Sequence, residues 1–171
     1  MKIQSLEELF LTSLQYVYDA EKQLTEALPK MAKASTTSQL SQAFEAHLKE
    51  THEQVKRAEH IFSAFGKKAT TRSNTVVEAM GKEADGMVKN TEAGPIRDAA
   101  LIEAANQVEH WEMAAYLSLR NFAQLLGQEE VAGLLEQTLN EEKQAAAKVI
   151  EIGENYVNSQ AAHRHATAGA R

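Results

Sequence analysis

Four glutamates lie near the middle of four long helical segments, among residues that otherwise look like a buried face. Glu21 is flanked by apolar residues at steps of three or four, and Glu50, Glu112 and Glu142 occupy comparable places in the later segments. Such spacing puts a residue on the inward face of an amphipathic helix. A buried carboxylate is costly unless a cation accompanies it. The four glutamates therefore suggest a metal site at one level of a helical bundle.

The rotation of each residue about its helix axis refines this set. At about 100° per residue, Glu21, Glu112 and Glu142 coincide with the centres of their apolar faces. Glu109 lies about 60° from the centre of the face that carries Glu112, so we expect it to reach the core. Glu50 lies about 80° from its stripe centre, although a long side chain at a stripe edge can still turn inward. We predict a metal site made by these five carboxylates.

Nitrogen ligands are scarce in this pattern. The usual di-metal carboxylate bundle carries a Glu-x-x-His pair on each of two helices. Here the residue three positions after Glu50 is Glu53, which projects away from the stripe. His47 and Gln54 face inward better and are possible ligands, but His47 fits equally well as a buried histidine held by hydrogen bonds. With few nitrogen ligands, one ion would keep an open position for water, peroxide or dioxygen.

The composition narrows the choice of metal. The chain has no cysteine, so carboxylate, imidazole, amide and water are the available ligands, and these favour iron or manganese over structural zinc. Five carboxylates carry more charge than one divalent ion offsets, so we expect two ions, iron first and manganese as the alternative. We expect no lysine or arginine in the stripes near this level, the nearest being Arg120 on a flank. Protonated or water-bridged carboxylates are the remaining alternative.

Length, composition and charge define the class of protein. A chain of 171 residues with 43% hydrophobic content suits one domain. Two prolines and eight glycines, with Ala, Glu, Gln, Leu and Lys dominating, indicate an all-α protein. A net charge of −6 without a basic run argues against nucleic acid. The first residues contain no sustained apolar run, so we expect neither a signal peptide nor a membrane span, and a cytoplasmic location.

Cap residues and apolar periodicity delimit the long helices. Ser5 is an N-cap for the first helix, while Gly66 and Gly127 are typical of helix ends. The helical domain is expected over residues 1–157, with 158–171 as a flexible tail. The four long helices are predicted at about 6–34, 38–65, 95–126 and 129–157.

The long connection between the second and third helices sets the topology. Residues 66–95 contain only a weak helix, from about Thr75 to Val88. Two tight hairpins joined by such a long link differ from an up-down-up-down bundle, which needs a short loop at every turn. The link must cross the bundle and make the second and third long helices parallel. The sequence predicts an all-α, ferritin-like four-helix bundle of two antiparallel hairpins with a long crossover that carries a short fifth helix.

The segments around these glutamates resemble a known family. They read AEKQL at Glu21, HLKETHEQ at Glu50, RDAALIEAANQVEHWEMAAY at Glu109 and Glu112, and LNEEKQ at Glu142. Through them the chain resembles the YciE/YciF family of ferritin-like, metal-binding bacterial stress proteins, from about Leu6 to Tyr156. The resemblance implies a ferritin-like bundle, frequent dimerisation, a di-iron or related centre and a link to general or osmotic stress. Some members carry an Asp where this chain has Ala146, which leaves the ligand count open.

Three functions are consistent with this pattern. The first is redox chemistry with peroxide or oxygen at a di-iron carboxylate centre in a homodimer that contacts neither nucleic acid nor membrane. The second is iron binding and sequestration without turnover. The third is a structural role during stress. The sequence identifies no reductant and no catalytic residue, so enzymatic activity stays open at this point.

Overall fold

The computed structural model describes residues 2–168, and for residues 164–168 it describes the backbone alone. No strand occurs in this part of the chain, which confirms the all-α prediction. No helix within it is long and apolar enough to cross a membrane. The helices are α1 (Leu6–Ala34), α2 (Ser38–Ala64), α3 (Thr75–Asn90), α4 (Pro95–Leu125), α5 (Glu129–Ile152) and α6 (Asn158–Ala168), with a π-helical turn at Gly153–Val157.

The helix ends follow local sequence signals. Ser5 Oγ accepts a hydrogen bond from the Glu8 amide at 3.1 Å and caps α1. Pro95 occupies the first turn of α4, where its missing N–H has no partner to lose. Gly66 and Gly127 follow α2 and α4 with φ values of 64° and 70°, a left-handed conformation that favours glycine. These signals place the four long helices close to their predicted bounds.

The two halves of the core establish how the helices run. One half joins Phe10 and Leu14 of α1 to Leu119 of α4, and the other joins Leu28 of α1 to Leu101 of α4. Residues early in α1 therefore pack against residues late in α4, and residues late in α1 pack against residues early in α4, so the two helices are antiparallel. Since α1 and α2 form an antiparallel hairpin, α2 and α4 are parallel, as the predicted crossover requires. The ferritin-like connectivity is confirmed.

The crossover is fastened to α1 at one end. Asn74 caps α3 by accepting a hydrogen bond from the Val77 amide at 3.1 Å. The backbone N–H of Asn74 donates to Asp19 Oδ2 at 2.8 Å, and its side-chain amide donates to the Tyr16 carbonyl at 3.1 Å. Val77 is the one buried residue of α3, a helix described throughout. The start of α3 is therefore fixed, whereas the rest of the helix lies on the bundle with little burial.

The C-terminal segment continues as a helix past residue 157, the predicted end of the bundle, and the flexibility of residues 158–171 stays a prediction. The chain passes from α5 through the π-helical turn and continues as α6 over Asn158–Ala168. Gly153 and Val157 of the turn are buried, and Val157 belongs to the same core half as Ile102. Burial of this turn against α4 extends the helix beyond the predicted end of the bundle. Residues 169–171 of the predicted tail lie outside the described residues.

Candidate metal centre

Side chains from three helices converge between the two halves of the core. His47 on α2, Glu109 and Glu112 on α4 and Glu142 on α5 are all buried. Each offers one ligand atom, and the four atoms all lie within 4.8 Å of one another. We call these four residues the His–Glu cluster. Three of them are carboxylates of the predicted metal site, and the fourth is the histidine predicted as a possible ligand.

Glu21 lies next to the His–Glu cluster on α1. Its side chain is fully buried, and the Tyr116 hydroxyl donates a hydrogen bond to its Oε1. Burial raises the pKa of Glu21 to about 7, although the hydrogen bond from Tyr116 and the charge of His47 act in the opposite direction. The Glu21 charge in turn raises the pKa of Glu112. Glu21 is therefore electrostatically part of the same site.

The surroundings of Glu112 and Glu142 disfavour the ionised form of these carboxyl groups most strongly. Burial raises the pKa of both well above the usual range, and the charges of Glu21 and Glu109 raise each of them further. Neither oxygen of Glu112 has a hydrogen-bond partner among the described residues. Several buried carboxyl groups thus repel one another when ionised, and the nearby charge of His47 offsets only part of that repulsion. A bound cation would remove this repulsion.

His47 has the arrangement of a metal-binding histidine. Its Nδ1 lies 3.4 Å from Glu50 Oε2, while its Nε2 lies 3.1 Å from Glu109 Oε1 and 3.7 Å from Glu142 Oε2 without hydrogen-bond geometry. Burial lowers the pKa of His47, but the carboxylates of Glu109 and Glu50 outweigh it and hold the pKa well above the usual value. Ligating histidines typically direct one ring nitrogen to a carboxylate and the other to the metal. In His47, Nδ1 faces the carboxylate of Glu50 and Nε2 faces the carboxylates of the cluster, where a metal ion would bind.

Glu50 stands apart from the other predicted carboxylates. Its side chain is 51% exposed, and its one polar contact among the described side chains is to His47. Three residues on, Glu53 is exposed, as its position off the stripe predicts. The ligation of Glu50 stays a prediction. Its placement is that of a carboxylate that orients His47 from the solvent side.

Gln54, predicted as a possible ligand, is buried and spans the interface between α2 and α5. Its Nε2 donates to Glu142 Oε1 at 2.5 Å and to Glu141 Oε2 at 3.2 Å. Its Oε1 has no partner among the residues described. The amide therefore holds Glu142 in place and keeps one acceptor oxygen available in the core.

Arg57 lies near this level, where the sequence predicts Arg120 as the nearest cation, but it does not lie in the stripes, which are predicted to hold no lysine or arginine. Its guanidinium donates to both oxygens of Glu141, at 2.8 and 3.0 Å, and to Thr138 Oγ1 at 2.5 Å. Burial raises the pKa of Glu141, but the bonds from Arg57 and others outweigh it and leave the pKa below its usual value. Arg57 and Glu141 lie off their own apolar stripes and face each other only because α2 packs on α5. Arg57 is bound to Glu141, and its charge also acts to lower the pKa of Glu21 but does not outweigh the effect of burial there.

The unpartnered atoms of the site test whether the residues suit a metal. Most are oxygen acceptors, which water or a cation can satisfy and which can satisfy one another only where a carboxyl group is protonated. Oxygen atoms with one imidazole nitrogen form a donor set suited to iron or manganese. The residues therefore fit the predicted ions. At this site, among the described residues, the unpartnered atoms are Glu21 Oε2, His47 Nε2, Gln54 Oε1, Glu109 Oε2, both carboxylate oxygens of Glu112 and Glu142 Oε2.

A cavity of about 490 Å³ connects this site with the surface between α2 and α5. His47, Glu50 and Glu109 line it together with Lys148 and Tyr156. We call it the polar cavity. Its lining includes both a half-exposed carboxylate and two buried members of the His–Glu cluster, so a hydrated cation has a polar route from solvent to the site.

Comparison with known proteins identifies the family. The family described as "Domain of unknown function (DUF892)" matches residues 5–162. The chain belongs to the DUF892 family. Protein YciF of Escherichia coli K12 is 41% identical to this DUF892 protein over 165 residues, which is 96% of this chain and 99% of YciF. The resemblance to the YciE/YciF family is thereby confirmed.

Solved structures of relatives have the same fold. The crystal structure of the E. coli stress protein YciF superposes with a TM-score of 0.87 at 41% identity, covering 91% of this DUF892 chain and 99% of YciF. YcfI from Rhodopseudomonas palustris, described as a proposed structural protein, has a TM-score of 0.83 at 37% identity, covering 86% and 94% of the two chains. A Xanthomonas campestris protein at 22% identity, with a TM-score of 0.75 over 94% of this chain and 99% of its own, shares the fold alone.

Proposed function

We propose that this DUF892 protein is a di-metal carboxylate protein of the bacterial stress response that binds iron, with manganese as the alternative ion. Its ligands would be the four residues of the His–Glu cluster together with Glu21. The set of unpartnered, buried acceptor atoms carries this proposal, because such atoms are rare in folded proteins without a ligand or water to satisfy them. The stress role rests on the likeness to E. coli YciF, which is called a stress protein.

The protein's own residues would hold and shield the ions. Tyr116 and Gln54 each donate to one oxygen of a carboxylate, Glu21 and Glu142 respectively, and leave the second oxygen free. Glu50 would orient His47 from the polar cavity. The apolar halves of the core lie on either side and exclude water. When bound, a pair of iron ions supplies electron exchange with peroxide or oxygen.

Elemental analysis tests the metal proposal directly. Protein purified from cells supplemented with iron and manganese should contain close to two metal ions per chain. Anomalous scattering at the iron and manganese edges should then locate the ions beside Glu112 and distinguish the two metals. Metal content well below one ion per chain would overturn the proposal and leave a structural role, the function proposed for YcfI, as the better account.

Iron sequestration without turnover is a second candidate function. The polar cavity favours it, because this cavity offers a wide polar route for cations to the His–Glu cluster. The two functions differ in one measurement on the metal-loaded protein. With a reductant such as ascorbate supplied in the assay, peroxide consumed well beyond the amount of bound metal, and beyond a metal-free control, supports redox chemistry. Consumption that stops at or below the metal content supports sequestration.

The expected homodimer is a separate part of the proposal. It rests on the family resemblance, and light scattering of the purified protein at several concentrations tests it. A molar mass near twice the 18.9 kDa of the chain is the expected result. A mass equal to that of one chain at all concentrations would contradict it.

A further inference from the structure

A second cavity, of about 320 Å³, lies between the crossover helix α3 and the groove formed by α1 and α4. Apolar side chains dominate its inner wall, with Leu24 and Leu28 from α1 and Leu101, Ala105 and Val108 from α4. We call it the apolar cavity. Its volume lies near the lower end of the range for small-molecule sites, about 300–1,000 Å³. A single ring with a short chain is therefore the size of molecule that it suits.

One wall of the apolar cavity is polar. Glu109 lines both the apolar and the polar cavity, and its side chain is about 5% exposed. Its Oε2 has no hydrogen-bond partner among the described side chains. A carboxylate has room for several hydrogen bonds, so Glu109 could bind a metal ion and still accept a hydrogen bond from a neighbour. The apolar cavity thus ends on an acceptor that lacks a donor.

The cover of the apolar cavity is loosely packed. Beyond Val77, the cavity-facing residues of α3, such as Met80 and Val88, are only partly buried. Gly81 and Gly86 lie within the helix, and a Cβ at either position would have no described atom within 4 Å apart from the neighbouring helix backbone. The hydrogen bonds to α1 lie at the start of α3, and its later turns contact the core only through partly buried residues such as Val88, so these turns are expected to open more easily than the core helices. A ligand could enter beneath them.

We propose that the apolar cavity binds a small, neutral and mostly apolar organic molecule with one hydroxyl group, of the alkylphenol type, whose hydroxyl donates to Glu109. The carboxylates of Glu112, Glu21 and Glu142 lie close to Glu109, so they disfavour an anionic ligand at this end. At the rim, Lys82 is paired with Glu78 at 2.6 Å, and Lys30 is accompanied by Glu26 and Asp85, so acidic side chains outnumber the lysines there. A cavity of about 320 Å³ is too small for a peptide helix.

Binding of this molecule does not depend on metal, so it can be tested apart from the proposed function. Chelator-treated protein is titrated with 4-propylphenol and followed by calorimetry and by NMR. We expect saturable binding at one site per chain. The methyl ether 4-propylanisole, which lacks the donor, and 4-propylbenzoate, which is an anion, should each bind at least tenfold more weakly. Equal binding of the three probes, or no saturation by the phenol, would overturn the proposal.

Two matched variants locate the site. Ala105→Leu narrows the apolar cavity, whereas Ala145→Leu makes the same change in a buried alanine that lines the polar cavity. We expect Ala105→Leu to weaken 4-propylphenol binding at least tenfold and Ala145→Leu to leave it within twofold. Should Ala105→Leu fail a thermal melt, Ala27→Leu narrows the same cavity from α1, where the residue is only partly buried. Undiminished binding in the folded cavity variant would contradict the assignment.

Glu109→Gln tests the polar end of the cavity. The amide keeps the shape of the side chain but loses its charge. The advantage of 4-propylphenol over 4-propylbenzoate should therefore shrink severalfold in this variant, whereas Glu103→Gln, an exposed change on the same helix, should preserve it. An unchanged ratio of the two affinities in Glu109→Gln would show that Glu109 does not face the ligand. Metal content of the wild-type protein, measured separately, reports on the metal proposal and not on this one.

Discussion

Gln54 donates a hydrogen bond to Glu142 across the interface of α2 and α5, with 2.5 Å between Nε2 and Oε1. The bond occupies one oxygen of Glu142 and leaves Oε2, which has no partner among the described residues, on the side of His47 at 3.7 Å. Gln54 also contacts Glu141, which Arg57 holds. Gln54 is thus placed to position a ligand, through a chain of bonds that reaches the partly buried ion pair of Arg57 and Glu141.

The first prediction concerns this positioning role. Gln54→Leu keeps a similar volume but removes the donor to Glu142, so metal affinity should fall roughly 10–100-fold while the number of bound ions stays the same. Competition with a chelator of known affinity measures the change. Gln137→Leu is the control, because Gln137 also donates to Glu141 but makes no bond to Glu142. If Gln54→Leu instead loses an ion outright, Gln54 is itself a ligand.

Glu112 gives the sharpest test of the metal site. Both of its oxygens are buried and unpartnered, so Glu112→Leu should abolish binding of at least one ion. The metal-free variant should also be about 1–3 kcal/mol more stable than metal-free wild type, because a poorly compensated buried acid is replaced by an apolar side chain. Elemental analysis and urea unfolding measure the two effects. Glu103→Leu, an exposed change on the same helix, should alter neither; unchanged metal content in Glu112→Leu would refute the site.

A third prediction distinguishes a ligand from a supporting carboxylate at Glu50. Because its side chain is half exposed and contacts only His47 among the described side chains, Glu50→Gln should lower metal affinity about tenfold without changing the metal count. Glu53→Gln, an exposed change three residues later, serves as the control. Chelator competition and elemental analysis on the two variants measure affinity and count. A lower number of bound metal ions in Glu50→Gln would show that Glu50 is a metal ligand, as its spacing predicts.

Periodicity along single helices could predict part of this site. It placed Glu21, Glu112 and Glu142 on the buried faces because burial on one helix is a local property of spacing. It could not find Tyr116 as the donor to Glu21, or the pair of Arg57 with Glu141. Those contacts depend on how two helices are rotated and staggered against each other, and single-helix spacing carries no such information. The same limit applies to α6, whose extension depends on the burial of Val157 against the core.

The glycines of the crossover allow a prediction about stability. Gly81 lies inside α3, and a methyl group added there would meet no described atom within 4 Å, so Gly81→Ala should raise the free energy of unfolding by about 0.5–1 kcal/mol. The same substitution at Gly127, where φ is 70°, should lower it because alanine is strained in that conformation. Thermal and urea unfolding of both variants measure the two effects. Shifts of the same sign would contradict this account.

The metal-free protein should lose stability as pH rises. The folded-state pKa of Glu21 is raised from 4.5 to about 7, chiefly by burial, so folding favours its protonated form. This contribution is fully present below the unfolded pKa and is lost as pH rises through the folded value. Glu112, Glu142 and His47 also have raised pKa values, so their contributions have the same sign. Urea unfolding of chelator-treated protein should give a lower free energy at pH 8 than at pH 5.

A variant and a metal-loaded sample separate the causes of this pH dependence. Glu21→Gln cannot ionise at that position, so its stability should fall less between pH 5 and pH 8 than that of wild type. Bound metal reverses the trend, because ions displace protons from the carboxyl groups and bind more tightly as pH rises. Metal-loaded protein should therefore gain stability over the same range. Equal stability of the metal-free wild type at both pH values would contradict this account, because the side chains of Glu21 and Glu112 are fully buried and their ionisation should oppose folding.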